Sequence, residues 1–347
     1  MAQAARFAII TEAKGNHLDG YLKGLSVCQG IEAVAAADPS GECFDRVRKL
    51  PGNLGAGFRG FADHNEMLRE FRPNVVLVTV EAHRAPERIR AALEAGSHVL
   101  TEKPACVRVA DFEALARIAE GRRLNLMLAM ANRMAGPVQK ARELVAAGKI
   151  GKLYSAELFL VADHTRVTRP QYQASWLAKR ELAGGGFLIF LGLHYIDLVQ
   201  FVSGASIRQV SGFIANVGGQ PVETEDAVVA TLLLDNGAVA TLHGGYYLDR
   251  GYHNRATLWG SDGWLRLDLG TERPLEWHST LPDAPKSVQQ FSDPKSDDVY
   301  TGMLQSAIDG ARGTAPPVIT TRQSLSVLKV VFAVYQAAAT GRSQTIA

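Results

Sequence analysis

Over roughly the first 130 residues, short apolar runs alternate with stretches of helical periodicity, and this alternation constrains the fold more than any other feature. Phe7–Ile10, Ile31–Ala37, Val75–Val80, Val99–Thr101 and Leu126–Met130 read as buried strands. Between them, Leu18, Tyr21, Leu22 and Leu25 recur at helical spacing. Ala85–Ala95 reads as a helix stopped by Gly96, and Asp111–Glu120 as one stopped by Gly121. Ser40 is placed to cap a further helix. Strands and helices alternating at this spacing predict right-handed βαβ units and a doubly wound parallel sheet of the Rossmann type.

The pattern changes near residue 150. Val138–Ala147 reads as a helix, Leu153–Val161 as an extended run, and Leu188–Val202 as an apolar helix. Strand-like segments then crowd together at 208–214, 227–234, 238–247, 255–259 and 263–269. Asp235-Asn236-Gly237 and Ser261-Asp262-Gly263 sit between neighbours, and Asn-Gly between strands is a strong hairpin signal. Pro282–Lys295 reads as a surface loop, and two helices close the chain near 299–311 and 323–339. The expected second unit is therefore α+β with a largely antiparallel sheet. The boundaries read as 1–131 for the nucleotide domain and 132–347 for the substrate and oligomerisation domain, with the final helix packing back on the first.

With 347 residues and 47% apolar side chains, the chain can build two ordinary cores. A net charge of +2 gives no electrostatic case for nucleic acid or an anionic membrane, and neither is expected as a partner. Cys28, Cys43 and Cys106 are few and show no metal-ligand spacing, which predicts reduced thiols, no bound metal and a cytoplasmic setting. No signal segment is apparent at the start, and no apolar run is read as approaching the roughly 18 residues of a membrane span.

Chemistry concentrates in three places. His98-Val99-Leu100-Thr101-Glu102-Lys103-Pro104 carries a strand straight into an acid, a lysine and a proline. Proline keeps Lys103 extended at the strand end, where ligands of open α/β sheets bind. Asp38 closes the second strand, where a dinucleotide fold places an acid against the ribose hydroxyls, favouring NAD over NADP. The first turn departs from G-x-G-x-x-G: Thr11-Glu12-Ala13-Lys14-Gly15-Asn16-His17 keeps one glycine and is short. Glu12 adds an unhelpful charge there, which Lys14 is placed to offset. Third, Gly184-Gly185-Gly186 precedes a helix in which Phe190, His194 and Asp197 are spaced to share a face. A histidine one turn from a carboxylate suits proton transfer, or a satisfied core position.

Ala91–Pro104, followed by Gly184-Gly185-Gly186 and Gly192-x-His194-x-x-Asp197-Leu198, resembles the two signatures of the Gfo/Idh/MocA oxidoreductases. The resemblance spans nearly the whole chain. It implies NAD bound by the first domain, a sugar or polyol substrate between the domains, and a homodimer or homotetramer through the second sheet. It further implies a cis Lys103-Pro104 bond. Lys103 would contact the reacting hydroxyl and nicotinamide ribose, and His194 would take the proton. Glu102 would position Lys103. Gly15, Asn16, His17, Asp38, Thr79, His83, Glu102, Lys103 and Asn132 would line the cofactor. Arg133, Trp176, Asp197 and His194 would face the substrate. Phe190 stands where many members carry an aspartate. With the altered glycine loop, it leaves two further readings open: a redox-neutral enzyme that retains NAD, and a non-catalytic binding or regulatory protein.

Overall fold

A computed structural model describes residues 3–13, 15–293 and 298–346. The described chain forms two compact units. One comprises residues 1–131 and 298–325, the other 132–297 and 326–347. The contiguous division expected from sequence is corrected here: residues 298–325 return to the first unit.

In the first unit, six parallel strands run β1 (Ala5–Thr11), β2 (Ile31–Ala37), β3 (Arg59–Phe61), β4 (Val75–Thr79), β5 (His98–Thr101) and β6 (Leu126–Leu128). Their order in the sheet is β3-β2-β1-β4-β5-β6, with the switch between β1 and β4. Ligand crevices of open sheets lie beyond the carboxyl ends at such a switch. β4 is buried along its whole length, as a parallel strand covered on both faces must be. β3 and the helix His64–Phe71 escaped the sequence reading because β3 has three residues and little apolar content. Ser40 caps no helix; its hydroxyl turns back to Asp38. The helix Val299–Arg312 packs against Leu18–Leu25, where Gly24 leaves room for the backbone of Thr301. On the edge strand β6, the amides of Leu126 and Leu128 donate to the hydroxyls of Thr321 and Ser324, so this edge is not left open.

The second unit carries a nine-stranded sheet. Its strands are β7 (Leu153–Asp163), β8 (Ile207–Ala215), β9 (Ala227–Leu234), β10 (Val239–Leu248), β11 (Tyr252–Gly260), β12 (Gly263–Leu267), β13 (Leu275–Ser279), β14 (Gln289–Phe291) and β15 (Gln344–Thr345). Among the described residues, only β7 and β10 pair in parallel; every other neighbour is antiparallel. Both expected hairpins are present, β9–β10 and β11–β12. One face is apolar core. The other carries the cross-strand row Phe213, Val229, His243, Phe159 and Arg255, with Phe213 78% exposed. The segment Arg180–Ser203 is long and apolar enough to cross a membrane, which corrects the sequence reading, but 78% of its apolar window is buried inside the protein. It is a core element.

Candidate active site

The cofactor-side residues cluster where β1, β4 and β5 end. The loop after β1 is closed by two threonines. Thr11 Oγ1 donates to the carbonyl of Thr79 (3.2 Å), and Thr79 Oγ1 donates to the carbonyl of Asn16 (2.7 Å). Gly15 sits between them, and a Cβ there would lie 2.2 Å from Thr11 Oγ1. The surviving glycine is thus required by the side chain that replaced the first one. Thr79 is fully buried and staples this loop.

Glu12 is neutralised within the fold. Its carboxylate accepts from the Glu81 amide and the Arg84 guanidinium, each at 2.8 Å. Arg84 therefore offsets this charge; Lys14 lies outside the described residues.

Asp38 directly follows β2 and is 1% exposed. Its Oδ1 accepts from the amide (3.0 Å) and hydroxyl (2.7 Å) of Ser40, and its Oδ2 from the Cys43 amide (3.0 Å). Burial raises its pKa, but these hydrogen bonds outweigh it and hold the carboxyl below the ordinary range. Its first job is to lock the turn after β2.

Glu102 is the hub of the Lys103 segment. His17 Nδ1 lies 3.0 Å from Oε1, the Tyr21 hydroxyl donates to the same oxygen (2.7 Å), and the Lys103 amide donates to Oε2 (3.1 Å). Burial alone would raise the Glu102 pKa; the His17 hydrogen bond and the Lys103 charge overcome it and lower it. His17 adopts φ 56° at the entrance to its helix, which turns the ring toward Glu102. Tyr300 backs both donors, with ring centroids 5.7 Å from His17 and 5.0 Å from Tyr21. The Lys103-Pro104 bond is cis. From the sequence Tyr21 reads only as an apolar position of a helix, and Tyr300 as part of the helix near 299–311; neither is legible as a site residue.

These residues fit a dinucleotide at its adenosine end. A cavity of about 250 Å³ opens beyond β1, β2 and β4, lined by the apolar Ile10, Ala37, Pro39, Ala62 and Val80 and by polar residues that include Glu12, Asp63, His64, Arg84 and Arg88. The apolar part of this lining suits a planar base. Among the described residues, His83 Nδ1 is buried with no hydrogen-bond partner and lies 3.6 Å from Glu81 Oε2, a polar atom a ligand could satisfy.

In the second unit, Gly184 closes the short helix Arg180–Ala183 at φ 80°. A Cβ on Gly185 would lie 2.0 Å from the Tyr335 hydroxyl, and one on Gly186 2.0 Å from the Glu225 carbonyl. The triple glycine lets backbone crowd around a buried carboxylate. Glu225 accepts from the amides of Gly186 (2.8 Å) and Leu188 (3.0 Å) and from the Tyr335 hydroxyl (2.7 Å). Its pKa is raised by burial, which outweighs these bonds. The sequence reading missed Glu225; the polar triplet Thr224-Glu225-Asp226 before a strand was its only signal.

One π-helical turn, Leu188–Gly192, precedes the helix Leu193–Ser203. Such turns insert one extra residue and often mark functional sites. Between Gly192 and Val199, His194 alone is not buried. Phe190 packs on Trp176, ring centroids 5.8 Å apart. Asp197 and Arg133, both expected to face the substrate, meet each other. Both are about 2% exposed or less, and they form a bidentate pair, Nε–Oδ2 2.9 Å and Nη2–Oδ1 2.6 Å. Desolvation raises the Asp197 pKa, with Arg133 opposing it. Asn132, next to Arg133, is half-buried in the turn Ala131–Met134.

Comparison with known proteins accounts for this arrangement. Residues 16–130 match the model of an oxidoreductase family with an NAD-binding Rossmann fold, and residues 138–266 match the GFO/IDH/MocA C-terminal domain. The chain is 27% identical over 277 residues to 1,5-anhydro-D-fructose reductase of Ensifer adhaerens, covering 78% of each chain. It is 22% identical over 293 residues to myo-inositol 2-dehydrogenase of Thermotoga maritima, covering 83% of this chain and 84% of the other. Its fold is that of levoglucosan dehydrogenase solved with NADH, at a TM-score of 0.85, 16% identity and 99% coverage of both chains.

Proposed function

This chain belongs to the Gfo/Idh/MocA oxidoreductase family, and from that premise we propose that it transfers a hydride between NAD and a secondary alcohol of a sugar, a polyol or a derivative. Its first unit is the family's NAD-binding Rossmann fold. The relatives named above are a sugar reductase and a polyol dehydrogenase. The observation that carries the reading is the anchoring of Glu102, which fixes the backbone of Lys103 at the end of β5.

Bound NAD supplies the hydride acceptor. The chain supplies the proton chemistry. As the alcohol loses hydride from carbon and a proton from oxygen, it becomes a ketone. The Lys103 ammonium stabilises the developing alkoxide. An imidazole nitrogen of His194 takes the proton. Phe190 can do neither, so Lys103 and His194 work without the usual aspartate. Trp176, braced by Phe190, offers an apolar wall to a sugar ring.

The exposed row Phe213, Val229, His243 and Phe159 supports a homodimer or homotetramer through the second sheet. Three buried free thiols suit a reducing, cytoplasmic setting.

The test is NADH formation, followed by absorbance, on a panel of sugars and polyols at saturating NAD. Net NADH with at least one of them is the expected result. Product release that depends on NAD but yields no net NADH would replace this reading with a redox-neutral one. Absence of NAD and NADP binding at millimolar concentration would end both.

A further inference from the structure

Arg166 is a half-buried cation in the second unit, on the short helix Thr165–Thr168 that follows β7. Among the described residues, no carboxylate lies within ion-pair reach of it. Its Nη2 donates to the Tyr252 hydroxyl at 2.8 Å, its guanidinium stands 5.8 Å from the centroid of the Tyr246 ring, and Tyr172 is the third group acting on its charge. Burial disfavours this cation, but the tyrosine oxygens around it outweigh that, so it is held charged with no acid beside it. The surrounding chain leans the same way. Between His164 and Arg180 there are three arginines and a lysine and no acid at all.

A cleft of about 320 Å³ shares Tyr246 with this arginine, which is not itself among the lining residues. Tyr246, over whose ring Arg166 stands, is one of its walls, together with His164, Thr168, Gln220, Asp226 and Tyr247. That volume falls within the range of small-molecule sites. Asp226 is held by the amides of Val217 and Gly218, each at 2.8 Å, so its carboxylate is a fixed acceptor for a hydroxyl. Burial pushes the Tyr172 hydroxyl up to about 12, so it remains a protonated donor at neutral pH. Tyr246 also reaches toward the catalytic helix. Its ring meets Phe187 edge-on at 5.2 Å, and Phe187 lies seven residues before His194, roughly 10 Å along the axis.

Resting on the reading of this chain as a sugar or polyol oxidoreductase, we propose that Arg166, with Tyr172, Tyr246 and Tyr252, anchors a substrate carboxylate, so that the substrate class is an acidic sugar, a uronic acid or its glycoside, in place of a neutral one. A carboxylate fits better than a phosphate. One arginine balances one negative charge, and Asp226 in the cleft and the buried Glu225 behind it oppose a second. A uronate would offer its carboxylate to Arg166 and its ring hydroxyls to the Asp226 carboxylate.

The test uses matched pairs that differ in the carboxylate: D-glucuronate against D-glucose, and phenyl β-D-glucuronide against phenyl β-D-glucoside. Binding is measured calorimetrically on the NAD-saturated protein and on its Lys103→Ala variant. Acidic members are expected to bind about 10- to 100-fold tighter, the strength of a charge-assisted pair. Arg166→Met should erase that difference while leaving the neutral sugar unchanged. Where turnover is seen, it should raise KM for the acid with kcat little altered. Tyr252→Phe should cost the acidic ligand a few-fold only, and thermal melting confirms that both variants fold. Equal binding of acid and neutral sugar by the unaltered protein would overturn the proposal, as would an equal loss for both in a folded Arg166→Met. Tighter binding of glucose 6-phosphate than of glucuronate would overturn the carboxylate. Arg166-dependent uronide binding without any turnover would sink the catalytic reading and leave this one standing. Turnover of glucosides as efficient as that of glucuronides would do the reverse.

Discussion

Arg133 holds Asp197 in a buried bidentate ion pair, and its guanidinium also stacks 4.7 Å from the centroid of Phe201. Removing one partner leaves an uncompensated charge, and that loss is larger than the net worth of the pair. Arg133→Met should destabilise the protein by about 3–5 kcal/mol in denaturant unfolding. Replacing both, Arg133→Met with Asp197→Leu, should recover most of it. Equal losses from the single and double variants would show that the pair is not coupled in this way.

Lys103→Ala should lower turnover by about 10²- to 10⁴-fold, the usual weight of a positioned proton-transfer group. NAD affinity, read by tryptophan fluorescence, should stay within a few-fold. Near-normal turnover in this variant would remove Lys103 from the chemistry.

The acid limb of stability should report on Glu102. Its folded pKa lies below its ordinary 4.5, because His17 and Lys103 outweigh the burial that would raise it. A carboxylate with a depressed folded pKa contributes stability that is complete above the unfolded value and lost as pH falls through the folded one. Glu102→Gln should therefore flatten the loss of stability below about pH 4.5. Thermal melts from pH 7 to pH 3 test this, and a Gln variant with an unchanged acid limb would refute it.

Gly15→Ala should weaken NAD binding by forcing Thr11 Oγ1 from its seat, since the added Cβ would lie 2.2 Å from it. Adding Thr11→Ala should restore part of the affinity. If the double variant binds NAD no better than the single, the two side chains do not compete for that space.

Asp38→Ala should both loosen the turn at Ser40 and Cys43 and weaken NAD. Loss of the three hydrogen bonds should cost about 1–3 kcal/mol in stability. It should also relax discrimination against NADP. An unchanged ratio of NAD to NADP affinity would confine Asp38 to its structural task.

Most strands were readable because each is a short apolar run between turn residues. β3, β13, β14 and β15 were not: two of the three residues of β3 are exposed, and β14 lies in the stretch 282–295 that reads as a surface loop. Lys103 and His194 were readable because a strand-end Lys-Pro and a histidine in an apolar helix are rare local patterns. Tyr21, Tyr300 and Glu225 were silent, because a buried hydroxyl or carboxylate gains its meaning from a partner far along the chain. Tyr21 meets Glu102 across 81 residues, and Glu225 meets Tyr335 across 110.

Local pattern alone determined the alternating parallel domain, the hairpins after residue 226, and the two segments that bear Lys103 and His194. Those follow from periodicity, turn chemistry and the stiffness of proline, all of which act over a few residues. Tertiary structure decided where the charges went. Asp38 and Glu102 are locked by donors folded around them, Asp197 is committed to Arg133, Glu12 to Arg84, and Arg166 is left facing tyrosines. A buried charge is only as free as its surroundings leave it, and those surroundings are assembled from distant parts of the chain.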